Sequence, residues 1–330
     1  MRVKLTELTQ AIEQALVHYG YDEQERGQIC DILLYAQLRG NNQGIAKLIG
    51  GGMSKNPNAK AVTIIRETPL SALLDGGQNA GMVVNAKAAD MAIVKAKSEG
   101  FGIVGTCNTS TSTGAIGYYV RKIAEADCLG FAFAGSPETV TMHGSYAPLF
   151  GTNPLAIGIP TMGTPVVFDM ATAAIAFYGL VEAQMAERSI PGDVAYDAEG
   201  NLTQDPSAAL DGAILPFDRG YKGASLAMMI EILTGPLVMA AFTGAPDSWA
   251  NWGNLVIAIN PKLMVDLGKF KLDVSTLVKR VKNAKRLQGV DEIYTPGERG
   301  DRLRQAALDT GEVDIDDRLY RALCDVGALS

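Results

Sequence analysis

The sequence predicts a layered α/β protein with helical ends, and three observations carry that prediction. Apolar runs of strand length alternate with segments of helical period between Ala61 and about Ile259. Two amphipathic helices precede this stretch, and residues 261–330 after it are helical and rich in charge. The expected division is a helical part and hinge over 1–60, an α/β core over 61–260 and a helical part over 261–330 that packs back on the core. With 330 residues, 47% of them hydrophobic, the chain suits one large domain or two ordinary ones. A chain of this size can bury roughly three quarters of its unfolded surface.

The elements follow in order. Leu8, Ile12 and Leu16 stand at helical spacing in a helix over Thr6–His18 that stops at Gly20. Asp22 with Glu25 three residues on is a capping-box pattern, and the second helix runs from there through Cys30, Leu33 and Leu34 to Gly40. The stretch from Gly40 to Lys60, with glycines at 50, 51 and 52, is too polar and glycine-rich for a core and reads as a mobile loop or hinge. Strands are expected over Val62–Arg66 and Ser71–Asp75, then a helix over Gly81–Ser98 with Val84, Ala88, Met91 and Val94 on one face. A buried strand over Gly102–Cys107, a helix over Ile116–Ala126 and strands over Leu129–Ala134, Leu155–Pro160 and Val166–Asp169 come next. Helices over about Ala173–Ala186 and Gly223–Met239 precede a last strand, Asn254–Ile259. Val274–Lys282, Arg299–Leu308 and Asp316–Asp325 are the closing helices. Neither an internal repeat nor a low-complexity tract is visible.

Composition excludes several functions. A net charge of −7 and a pI near 5.0 argue against nucleic acid as a partner, because phosphate backbones demand clustered Lys and Arg. The opening MRVKLTELTQ lacks the apolar run of a signal peptide. The longest apolar stretch, Leu226–Phe242, is broken by Glu231, Gly235 and Pro236, so it reads as a buried helix and not a membrane span. Cys30, Cys107, Cys128 and Cys324 form no pair at metal spacing and read as reduced thiols of a cytoplasmic protein. With His18 and His143 the only histidines, no metal site of the usual His/Cys kind is expected.

Several local patterns could carry chemistry, most of them beside a plainer reading. Gly100, Gly102 and Gly105 spell G-x-G-x-x-G, but a helix ends there and a strand begins. The dinucleotide fingerprint needs the reverse order, so the match is false. Asn108 to Ala115, a run of hydroxyls between a strand and a helix, suits an anion; an ordinary helix cap with extra turn residues is the alternative. His143, in the loop Met142–Tyr146, is a candidate general acid or substrate contact, or a loop histidine without chemistry. A Ser145–His143 nucleophile lacks an elbow and a third member. Arg219-Gly220-Tyr221-Lys222-Gly223 and Pro296-Gly297-Glu298-Arg299 place charge at helix starts where a cofactor could rest, or are solvated turns. Asp169, at a strand end, fits the rule that α/β sites gather there.

Together, Gly151-Thr152-Asn153-Pro154-Leu155-Ala156, Phe168-Asp169-Met170-Ala171-Thr172, Tyr221-Lys222-Gly223 and Pro296-Gly297-Glu298 resemble the malate/L-lactate dehydrogenase family of the sulfolactate-dehydrogenase type. The resemblance spans nearly the whole chain from Leu38-Arg39-Gly40 onward. It implies a mixed-sheet NAD(P)-binding α/β fold distinct from the Rossmann fold, and a homodimer with its site near the subunit contact, a surface the N-terminal helices could supply. Carried over by residue, it implies a cofactor pocket of Ser112, Thr113, Gly114, Ala115, Ile116, Asp169, Met170, Ala171, Thr172, Tyr221, Lys222, Pro296, Gly297 and Glu298. Thr152 would contact substrate, and Lys47 stands where the family has an arginine that clamps the substrate carboxylate. Lysine keeps the charge but loses the bidentate fork.

The departures from the family pattern concern the proton. Its Ser-His-Gly, which supplies the catalytic histidine, is here Asn42-Gln43-Gly44, and its Asn-His-Phe-Gly is Thr111-Ser112-Thr113-Gly114. After the Asp169–Thr172 strand end, Tyr178-Gly179-Leu180 offers only a tyrosine hydroxyl. Gln43 can polarise a carbonyl but cannot deliver a proton, and losing a positioned general acid costs about 10² to 10⁴ in rate. The leading expectation is an NAD- or NADP-dependent oxidoreductase moving hydride to or from a small 2-oxo or 2-hydroxy acid, or a cyclic imine carboxylate that arrives already protonated. Gln43, His143 and Lys222 are the catalytic candidates, with an ordered water as another proton source. The alternatives are a lyase, hydrolase or isomerase reusing the pocket without nicotinamide, and a silent binding protein.

Overall fold

A computed structural model of the chain describes residues 1–246 and 250–328. Strand β1 (Arg2–Lys4) leads into helices α1 (Leu5–His18) and α2 (Glu23–Gln37), a 3-10 segment at Ile45–Gly51, and strands β2 (Thr63–Glu67) and β3 (Ser71–Asp75). Helix α3 (Gly81–Glu99), strand β4 (Phe101–Thr109), helix α4 (Gly117–Glu125) and strand β5 (Leu129–Ala134) follow. Short strands β6 (Val140–Thr141) and β7 (Pro148–Phe150) precede β8 (Leu155–Ile159), β9 (Val166–Met170) and helix α5 (Phe177–Met185). The chain then runs through β10 (Ala195–Tyr196), α6 (Pro206–Asp211), β11 (Ala213–Ile214), α7 (Tyr221–Thr234) and β12 (Trp252–Ile259). It ends on α8 (Leu267–Lys282), α9 (Glu298–Thr310), β13 (Glu312–Asp314) and α10 (Asp317–Gly327).

The seven-stranded central sheet has the order β2-β3-β4-β12-β5-β8-β9, and β3–β4 is its one parallel pair. Helix α3 is the crossover that a parallel pair requires. A second sheet, β10-β11-β6-β7, lies beside it, and β1 pairs with β13 so that the two ends of the described chain meet. The architecture is the mixed-sheet α/β fold that the sequence predicts.

One face of the central sheet is shaped by absent side chains. Gly102, Ala258, Gly130 and Gly158 stand opposite one another on four neighbouring strands, forming a row of small residues. A Cβ on Gly102 would lie 2.2 Å from the Ala92 carbonyl oxygen of α3, and one on Gly158 would lie 2.1 Å from that of Val120 in α4. The row therefore lets α3 and α4 press their backbones onto the sheet. It also explains the false fingerprint: Gly100 ends α3 at φ +86°, and Gly102 makes room for the helix above it.

Three expectations need correction. Within the presumed hinge, Ile45, Leu48 and Met53 are fully buried, because the 3-10 segment tucks under α1, α2, α5 and α10. Gln37 supports it by accepting the Ile45 N–H at 3.1 Å. Val94 is 67% exposed, since α3 meets the glycine row with its alanines, Ala88, Ala92 and Ala96. The helix read as buried, α7, leaves Met228, Met229 and Ile232 in solvent. Among the described residues, no helix is long and apolar enough to cross a membrane. The Asp22–Glu25 capping box is present.

Candidate active site

A cavity of about 320 Å³ opens where the 3-10 segment and the start of α5 face the loop before α4 and the ends of β5 and β9. That volume lies within the range of small-molecule sites. Asn41, Asn42, Gln43 and Lys47 form one wall, Ser112 to Ile116 another, and Thr152, Asp169 and Ala171 a third. Phe177, Tyr178, Pro137, Pro154 and Trp252 make much of the rest apolar. A Cβ on Gly179 would come within 3.0 Å of Asn42 Nδ2, so the first turn of α5 closes directly on that asparagine.

Lys47 dominates the electrostatics. The residue is 2% exposed, and its Nζ lies 3.9 Å from the centre of the Tyr178 ring. Among the described residues it forms no ion pair and is the one lysine, arginine or histidine on the cavity wall. Burial, uncompensated by any carboxylate, pulls its ammonium down to about 7. An unpaired cation inside a cavity is costly unless an anion joins it.

Asp169, at the end of β9, presents an exposed side chain to the cavity, while the protein packed around it desolvates the carboxyl. Burial pushes its carboxyl up to about 6, against the pull of the Gly117 N–H, which donates to Oδ2 at 2.8 Å, and of Arg39. A carboxylate thus already occupies the start of α4, where the hydroxyl run suggests a free anion site. The run itself is largely committed to the fold: Thr109 Oγ1 donates to Trp252 O at 2.7 Å, and Ser110 Oγ to Gln78 O at 2.8 Å. Ser112 Oγ accepts the Gly114 N–H at 3.0 Å.

The fold thus brings Gln43, Lys47, Ser112, Thr113, Gly114, Ala115, Ile116, Thr152, Asp169 and Ala171 to one cavity. Thr172 sits behind the wall, where its hydroxyl donates to Thr152 O at 3.0 Å and fixes that residue's backbone. Met170 pairs with Leu155 in the sheet and is off the wall. His143 is exposed on a turn of the second sheet and His18 is exposed on α1, so neither reaches the cavity. Tyr221 and Lys222 are exposed at the start of α7, whose first N–H groups are already served by Asp218. The Pro296–Glu298 turn lies against β9: Gly297 O accepts from Arg39 at 2.9 Å, and Glu298 is bound by Lys282 and Arg302.

Folding also adds residues that the sequence does not single out. Thr139 Oγ1 and Trp252 Nε1 are buried on the cavity wall without a hydrogen-bond partner, and Asn41 joins them. Only the polar cluster Asn41-Asn42-Gln43 carried a signal, as consecutive amides beside the expected Gln43.

The fold and the cavity define an α/β protein with a small-molecule site built around one buried cation. The chain belongs to the malate/L-lactate dehydrogenase family, which it matches over residues 3–324, and that membership makes it an oxidoreductase that works with a nicotinamide cofactor. It is 39% identical over 295 residues to the L-sulfolactate dehydrogenase of Methanothermobacter thermautotrophicus, covering 86% of each protein. It is 34% identical to the Δ1-pyrroline-2-carboxylate/Δ1-piperideine-2-carboxylate reductase of Pseudomonas putida, covering 68% of this chain and 66% of that one. The crystal structure of malate dehydrogenase from Entamoeba histolytica superimposes with a TM-score of 0.91 at 28% identity, covering 100% of this chain and 98% of that one. Nothing among these relatives favours a lyase, hydrolase or isomerase.

Proposed function

We propose that the protein interconverts a small 2-oxo acid, or a cyclic imine carboxylate, with its reduced form at the expense of NAD or NADP. The observation that carries this reading is the unpaired Lys47 ammonium on the wall of a mostly apolar cavity. One cation balances one carboxylate, so a monoanion with a compact apolar body is the substrate class that suits it. Thr152 lines the same cavity to orient the acid, and Gln43 can hydrogen-bond its carbonyl or imine.

The residues present fit a nicotinamide. The unpartnered Trp252 Nε1 donor and Thr139 hydroxyl match the needs of a carboxamide, and Phe177, Pro137 and Ala134 offer apolar surface to a flat ring. When bound, that group supplies or accepts the hydride. Ser112 to Ile116, Asp169 and Ala171 would hold it. Lys47 is itself shielded from solvent, which strengthens the attraction between its ammonium and an acid. Met170 and Thr172 back this wall from the strand end. Tyr221, Lys222 and the Pro296–Glu298 turn lie beyond the cavity, where only a portion of dinucleotide projecting from it could meet them. Glu298 would have to give up part of its bonding to Lys282 and Arg302 to do so.

We further propose a cytoplasmic homodimer. Free cysteines suit a reducing compartment. The apolar face of α7 supports self-association, whereas α1 and α2 spend their apolar faces on their own core. The reading is tested by titrating the purified protein with NADH and NADPH while following nicotinamide fluorescence. Micromolar binding of either supports it and distinguishes the two cofactors; binding of neither would return the non-redox alternatives to first place.

A further inference from the structure

We infer that Lys47 does two jobs with one ammonium group: it holds the substrate carboxylate and it delivers the proton to the neighbouring α-oxygen. This rests on the reading of the cavity as a site for 2-oxo and 2-hydroxy acids.

The cavity has three titratable groups among the described residues, Lys47, Asp169 and Tyr178. Asp169 is bound to the start of α4 through Gly117, and a charged carboxylate there would repel an acid. Tyr178 turns the face of its ring to Nζ, and its hydroxyl lies toward Gly52, where a Cβ would meet it at 3.2 Å. Lys47 alone can both attract an anion and give up a proton. The α-oxygen of a 2-oxo acid is attached next to the carboxylate, so the two oxygens can point the same way. An ammonium has three N–H groups and can donate to both at once. A guanidinium can hold the acid more rigidly, but it cannot act as a neutral-range acid.

The surroundings favour proton release from this nitrogen. Around the 3-10 segment, Tyr19, just past the end of α1, donates its hydroxyl to Leu48 O, and α5 contributes Tyr178. No carboxylate of α2, α5 or α10 pairs with Lys47 among the described residues, and the nearest acidic group on the cavity wall is Asp169. With burial alone acting on it, the ammonium titrates at about 7, close to the range where proton transfer is efficient.

In the reductive direction a bound nicotinamide would supply a hydride to the carbonyl carbon, and the C=O π pair would become a lone pair on oxygen. That oxygen takes a proton from Nζ: an O–H bond forms, an N–H bond breaks, and Lys47 is left a neutral amine. Solvent then returns a proton to the amine. The sum is 2-oxo acid, reduced nicotinamide and one proton giving 2-hydroxy acid and oxidised nicotinamide. A protonated cyclic imine needs the clamp but not the proton, and this separates the two jobs.

The experiment compares wild type with Lys47→Arg and Lys47→Met, the latter chosen because it fills a similar volume. Thermal melts establish that each is folded. Oxamate, an unreactive isostere of a small 2-oxo acid, is titrated from pH 6 to 9 by calorimetry, with and without NADH. Wild-type affinity should fall about tenfold per pH unit above the lysine's ionisation, the Arg variant should bind without that dependence, and the Met variant should lose binding. In turnover, pyruvate reduction by the Arg variant should drop by about 10² or more, at least tenfold further than reduction of Δ1-piperideine-2-carboxylate. An Arg variant that keeps the wild-type pH dependence for oxamate, or that loses both activities equally, overturns the proposal. So does a wild type that binds NADH yet shows no ionisation in its oxamate affinity. A wild type that binds neither NADH nor NADPH instead overturns the functional reading, and the proposal with it.

Discussion

A buried lysine without a counter-ion leaves a mark on stability as well as on chemistry. Lys47 titrates near 10.5 when solvated and at about 7 in the fold, so between those values the unfolded chain binds the extra proton. The destabilisation is complete below about pH 7, shrinks as pH rises, and is gone above the unfolded value. Its size is on the order of 4 kcal/mol, part of which the contact with the Tyr178 ring already returns. Lys47→Met should therefore be more stable than wild type by a few kcal/mol at pH 6, and the gap should nearly close by pH 10, as read from urea midpoints. Equal stability of the two proteins at pH 6 would mean that Nζ reaches water. Site legibility also divides at this scale. Lys47, Thr152, Asp169 and the Ser112–Ile116 loop could be placed by their resemblance to a family pattern, and the fold gathers them around one cavity. As a proton donor His143 is legible only by its chemistry, and side-chain type says nothing about which face of a loop meets a cavity; the resemblance names Tyr221 and Lys222, but it does not say whether the helix end that carries them reaches the cavity. Thr139 and Trp252 lie more than 100 positions apart in sequence, one beside the second sheet and one in the central sheet, and come to one cavity only in the folded chain.

Among elements, the strands were the most legible and the spaces between them the least. Ser71–Asp75 and Leu129–Ala134 have the bounds read for them, because a short apolar run of strand length stands out between its flanking segments. The row of Gly102, Ala258, Gly130 and Gly158 could not be seen, because it exists only once four strands are in register. It has consequences for the site. Helix α4 is held close to the sheet above Gly158, and the loop ahead of α4 supplies Ser112 to Ile116 to the cavity. Gly158→Ala would drive a methyl group into the Val120 carbonyl and must push α4 outward. The expected cost is about 1 to 3 kcal/mol, with weaker NADH binding through displacement of that loop. A denaturation curve beside a fluorescence titration checks both, and unchanged stability would show that α4 can shift freely. The Gly40–Lys60 stretch misled for the opposite reason: its glycines and amides outnumber Ile45, Leu48 and Met53, but those three go to the core.

On the scale of the whole molecule, the question is what covers the apolar surface that one chain leaves exposed. Tyr221, Met228, Met229 and Ile232 recur on one side of α7, at 62%, 44%, 50% and 44% exposure. Leu237, Met239 and Phe242, past the helix end, are exposed as well. Monomers rarely gather so many large exposed apolar side chains on one element, and a twofold contact between equal faces would cover them. The N-terminal helices offer less apolar surface for such a contact, since Leu8, Ile12 and Leu16 of α1 are already buried within the chain. The proposed dimer therefore predicts twice the chain mass by light scattering. The double change Met229→Glu with Ile232→Glu should halve it while leaving the far-ultraviolet circular dichroism intact, because both side chains face solvent in the isolated chain. Lys222 and Tyr221, in the first turn of the same helix, would then lie near the subunit contact. If the partner chain completes the cofactor site, the monomeric variant should also lose affinity for NADH by tenfold or more; retained mass would show that the contact uses another face.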